Sequence, residues 1–110
     1  MGMNEKKLRG MGGKYILDEN GNPKLEKDLL KWGHWLDTAD RKVARTNIGK
    51  IIISTVFLGL DHRFIGNGKP ILYETMVFGG KLDRKMKQYC TKEEAIKGHN
   101  AMVKQVRKAK

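Results

Sequence analysis

Asp61, His62 and Glu74 are the residues of this 110-residue chain best suited to chemistry. Asp61-His62-Arg63 sits in a polar, glycine-rich stretch, 59–70, and Glu74 follows inside an apolar run. A carboxylate between apolar neighbours has to be paired, ligated or protonated. Together with His99 these side chains have the oxygen and nitrogen donors that a divalent metal takes. One reading is therefore a small metal-dependent phosphoester hydrolase using Asp61, His62 and Glu74. The spacing carries no diagnostic motif: there is no CxxC pair, P-loop, GxGxxG, HExxH or serine elbow. Each residue also has a plain structural use. Asp61 can cap a turn, Glu74 can pair with a lysine or meet solvent at a sheet edge, and His99 can hydrogen-bond within a core. No cofactor, no resident metal and no catalytic residue is assigned.

Charge favours a different reading. The formal net charge is +11, which draws acidic ligands and nucleic acid above all. Arg41, Lys42 and Arg45 fall on one short segment, Arg63 and Lys69 flank the glycine-rich stretch, and Trp35 offers a stacking face. The candidate ligand-binding set is thus Trp35, Arg41, Arg45, Asp61, His62, Arg63, Lys69, Glu74 and His99. The expected function is non-enzymatic binding of an anionic ligand, a nucleotide or a nucleic acid. A third reading is an inhibitor docking on an acidic protein. Part of the charge lies at the ends, in Lys6, Lys7, Arg9 and Lys14 and in Lys104, Arg107, Lys108 and Lys110, where solvated tails are the simplest account.

These side chains need a scaffold. Residues 51–58 and 71–78 are rich in β-branched and aromatic residues, with apolar side chains on both parities, which marks central strands. A third strand is expected over 41–46 with a turn at Asn47-Ile48-Gly49, a fourth over 86–90, and a short edge strand at Tyr15-Ile16-Leu17 before a turn over 18–23. A first helix is expected over 24–37, because Leu25, Leu29, Trp32 and Leu36 make one stripe. Thr91-Lys92-Glu93-Glu94 is a capping box that opens a second helix through about Arg107, with Ala95, His99, Met102 and Val106 on its apolar side. Gly98 in that helix costs stability and implies close approach by a neighbour.

The fold class is α+β: a small antiparallel sheet of three to four strands with two helices packed on one face, in the order (β)αβββ(β)α. Residues 1–13 read as a flexible, basic, glycine-rich arm and 14–110 as a single α+β domain. The other sheet face is apolar around Ile52, Val56 and Met76, and a homodimer through that face is expected. A single cysteine, Cys90, fits a reducing cytoplasm, and no apolar run approaches the roughly 20 residues of a spanning helix.

The segments DLLKWGHWLDTADRKVA, STVFLGLDH, ETMVFGG and YCTKEEAIKGH, in that order, resemble a family of small proteins of phages and prophages. The resemblance covers roughly residues 15–106 and leaves out the basic arm. It implies a phage accessory protein acting in the host cytoplasm, of the kind that antagonises host defence by binding an effector or sequestering a nucleotide signal. Its partners would then be an anionic ligand or an acidic host defence protein.

Overall fold

The computed structural model describes residues 13–63 and 68–109. The chain divides into two compact units, Met1–Arg41 with Leu58–Leu72, and Lys42–Phe57 with Tyr73–Lys110. Among the described residues there are two helices and six strands in two antiparallel sheets, an α+β fold.

Strands β1 (Tyr15–Leu17) and β2 (Pro23–Leu25) and helix α1 (Leu29–Thr38) belong to the Met1–Arg41 unit. Strands β3 (Lys42–Ile48), β4 (Ile51–Phe57), β5 (Tyr73–Phe78) and β6 (Met86–Tyr89) and helix α2 (Lys92–Ala109) belong to the other.

In the second unit β3, β4, β5 and β6 form an antiparallel meander in that order. The sheet carries α2 on one face, against all four strands. Alternation decides which residues α2 covers. Ile53, Thr55 and Phe57 of β4 and Tyr73, Thr75 and Val77 of β5 are buried on the helix side. Helix α2 inserts Ala95, His99, Met102 and Val106, and Ile48, Ile53, Val77, Met102 and Val106 form the core cluster. Phe57 and Tyr73 pack edge to face with centroids 5.4 Å apart. The capping box forms as the sequence requires: Glu94 N donates to Thr91 Oγ1 at 3.1 Å, and Thr91 N donates to Glu94 Oε1 at 3.1 Å. Gly98 meets Tyr89, whose ring lies where a Cβ would stand.

In the first unit β1 pairs with β2 through a turn in which Asp18 Oδ1 accepts from Asn20 N and Asn22 N, each at 2.9 Å. Helix α1 starts where Asp28 Oδ1 accepts from Leu30 N and Lys31 N, a regular N-cap. It packs on β1. The Trp32 indole N–H donates to Gly59 O at 2.8 Å, and Lys14 Nζ lies 5.6 Å from the Trp32 ring. Tyr15 N donates to the same Gly59 carbonyl.

Several expectations are corrected. The first helix begins at Leu29 rather than Lys24, because Pro23–Leu25 pairs with β1 and Glu26 N donates to Lys14 O. Leu25 is a strand residue. Of the two helices expected on one sheet face, α2 is the one packed on the sheet; α1 is built onto β1. Ile48 pairs with Ile51 as the buried end of β3, so the hairpin turn is Gly49-Lys50, with Gly49 at φ 60°. Strand β5 starts at Tyr73, two residues later than expected. Lys104, Arg107 and Lys108 are not a tail but part of α2. The glycine-rich arm lies outside the described residues except for Gly13, as do residues 64–67 of the central loop and Lys110.

Candidate functional site

The Asp61 loop is braced from within. Asp61 is 2% exposed. Its Oδ1 accepts from Arg63 N at 2.8 Å and from Ile71 N at 2.9 Å, while its own N–H donates to Gly13 O. His62 N donates to Ile71 O. The Arg63 guanidinium turns back, its Nε donating to the Lys69 carbonyl at 2.8 Å, and it packs against Gly68. A carboxylate with two backbone N–H donors on one oxygen is a turn brace of the Asx type. The structure thus gives Asp61 and Arg63 internal duties in the loop.

Trp35 and Arg41 belong to the same unit and both are half-buried. The Trp35 carbonyl accepts from Ala39 N at the end of α1. Arg41 Nη1 donates to Leu58 O at 3.4 Å, so this guanidinium is directed at backbone.

Arg45 and Glu74 lie in the sheet unit, both on the face away from α2. Pairing sets this directly: Arg45 stands opposite Ser54, and Glu74 opposite Val56. Glu74 Oε1 accepts from Gln88 Nε2 at 3.1 Å across the β5–β6 pair. Arg45 is exposed. A register shift between Lys42 and Ala44 puts Lys42 opposite Val56, on the same face as Arg45. Strict alternation would have separated them, so the bulge assembles this basic edge.

His99 is on the opposite face and 3% exposed. Its Nε2 is 2.8 Å from Thr46 Oγ1 and its Nδ1 is 2.7 Å from Thr55 Oγ1. Thr55 Oγ1 continues to Thr75 Oγ1 at 2.5 Å. One imidazole therefore joins α2 to β3 and β4, and burial holds its pKa below the ordinary histidine value. Burial, with the Glu93 carboxylate second, pushes the Tyr73 phenol up. His99 is a core histidine with both nitrogens satisfied.

Among the described residues no group of three or more His, Cys, Asp or Glu side chains comes together as a metal would require. Within the sheet unit, Glu74 and His99 stand on opposite faces of the sheet.

An ordered run of cations includes Lys104, Arg107 and Lys108, which the sequence analysis assigned to a solvated end. Lys97, Lys104 and Lys108 project from the outer side of α2 at helical spacing, with Asn100 and Arg107 beside them, all exposed. The signal was available: a helix opened by the capping box and buried through Ala95, His99, Met102 and Val106 must turn these residues to solvent. Arg107 and Lys108 in the last turn also suit the helix dipole, but Lys97 and Lys104 lie well before it.

No protein-family model, curated protein or solved structure matches this chain.

Proposed function

We propose that this protein is a non-enzymatic, nucleic-acid-binding accessory protein, acting as a homodimer in the host cytoplasm, of the phage and prophage kind its segments resemble. The carrying observation is the basic outer face of α2: Lys97, Lys104 and Lys108 in one stripe, flanked by Arg107. Packing of the opposite side holds the helix rigid, so these charges are presented together and not on a mobile tail. From Lys97 to Lys108 the stripe spans about 16 Å at roughly 1.5 Å per residue. That is the length of about five base-pair steps of duplex, each ~3.4 Å. A convex helix face cannot enclose a mononucleotide but can lie along a polymer of phosphates. Contacts of this kind go to the backbone and carry no sequence preference.

Fluorescence anisotropy with a labelled duplex at several salt concentrations tests the reading. About four phosphate contacts give a slope of log affinity against log salt near −3.6. Replacing Lys97, Lys104 and Lys108 by glutamine should weaken binding and bring the slope toward about −1. Absence of binding at low salt, or unchanged binding by the triple variant, refutes the reading.

A further inference from the structure

We infer that the edge strand β6 supplies a second row of phosphate-binding cations, Lys85 and Lys87, and that one backbone of a duplex lies along the seam between α2 and β6. This rests on the function proposed above and adds to it the strand's residues and the form of the ligand.

Two contacts fix how α2 runs beside β6. Gly98 meets the ring of Tyr89, the last residue of the strand. Gln105 Oε1 accepts from the Nζ of Lys85, the residue before the strand, at 2.7 Å. Positions 98 and 105 are about two turns apart and share one side of the helix. The helix therefore runs antiparallel to β6 with that side turned toward it. The lengths agree: seven helical residues span about 10.5 Å and four strand residues about 13 Å.

Lys87 falls between these contacts. It pairs with Thr75, which is buried under α2, so Lys87 stands on the helix side of the sheet, and it is exposed. Lys85, two residues earlier and also exposed, shares that side. Across the seam stand Lys97, Lys104 and Lys108. A Cβ at position 98 would collide with the Tyr89 ring, so the glycine is what lets the two rows approach.

The seam is uniformly positive. Residues 84–92 and 95–109 contain no aspartate or glutamate. At its two ends Asp83 accepts from Gly79 N, and Glu94 from Cys90 N and Thr91 N. Lys104 and Lys108 are four residues apart, a spacing at which like charges destabilise a free helix. A polyanion relieves that repulsion. Single-stranded ligands use exposed aromatic faces, but the Tyr89 ring is buried beneath Gly98. Contact is left to phosphates, and a duplex presents one charge per ~1.7 Å against ~3.4 Å for one strand. The duplex is therefore the preferred ligand.

Lysine on an edge strand also discourages sheet-to-sheet pairing, a duty that needs no duplex, and salt dependence separates the two. In anisotropy titrations with a labelled duplex, two strand contacts added to about four from the helix should steepen the slope to about −5.4. Lys87→Gln, which leaves the Lys85–Gln105 bond in place, should lower it by about 0.9, and Lys85→Gln with Lys87→Gln should return it to about −3.6. The helix triple variant should stop near −2.7. Lys50→Gln, an equal loss of charge on the β3–β4 turn, should leave the slope unchanged. A single strand of the same length should bind more weakly than the duplex. A wild-type slope near −3.6, or strand variants that change it no more than Lys50→Gln does, overturns the second row while the helix reading stands. Equal or tighter binding of the single strand overturns the choice of duplex. Absence of binding at low salt overturns both this inference and the function beneath it.

Discussion

His99 Nδ1 lies 2.7 Å from Thr55 Oγ1, while the other nitrogen of the same ring lies 2.8 Å from Thr46 Oγ1. This single side chain connects the long helix to two strands of the sheet and is buried between them. Its hydrogen-bonding partners are threonine hydroxyls, none of them charged, so nothing offsets the cost of protonating it.

Stability should therefore depend on pH through His99. Burial places the folded-state pKa below the ordinary 6.5. Below pH 6.5 the unfolded chain binds a proton that the folded chain resists, so the contribution is whole above that pH and is lost as pH falls toward the lowered folded value. Urea unfolding across this window should show stability declining with acid, and His99→Gln should remove that part of the slope. An imidazole titrating at or above 6.5 by NMR would contradict the account.

Tyr89 gives a second test. Its buried Oη has no hydrogen-bond partner among the described residues, and its ring occupies the space beside Gly98. Removing an unpaired buried hydroxyl costs little or stabilises, so Tyr89→Phe should match or exceed wild type in thermal unfolding. Gly98→Ala should destabilise by about 1–3 kcal/mol through overpacking, against a propensity gain of about 1 kcal/mol. In a Tyr89→Ala background the same change should turn neutral or favourable.

Asp61 should prove structural. Asp61→Ala removes the acceptor for Arg63 N and Ile71 N and should cost about 1–3 kcal/mol. Duplex affinity of the folded variant should be unchanged. A loss of binding without a loss of stability would return Asp61 to a ligand site.

The capping box should act as a unit. Thr91→Ala and Glu94→Ala each remove one side of a reciprocal bond and should each cost about 1 kcal/mol by urea unfolding. The double variant should cost less than the sum, because the second change removes a partner already weakened.

The architecture of the sheet unit was legible because its signals are local and repeated. The stretches 51–58 and 71–78, rich in β-branched and aromatic residues, alternate over many positions, and Thr91 with Glu94 marks a helix start that no neighbour contradicts. The stripe of Ala95, His99, Met102 and Val106 follows from 3.6-residue periodicity once that start is placed. Leu25 misled the reading of the first helix. Its spacing from Leu29 is helical, but a strand pairing with Tyr15 claims it first, and pairing partners distant in sequence leave no mark on local periodicity.

The amino-acid order by itself determined the secondary elements of the sheet unit, the inward turn of His99 and the need for close approach at Gly98, because each depends on residues a few positions apart. Three-dimensional pairing decided the rest. The slip between Lys42 and Ala44 brings Lys42 and Arg45 to one face, and Ile71 N, ten residues on, adds a second donor to the Asp61 turn. Those outcomes rest on contacts between segments far apart in the chain, whose energies no local pattern records.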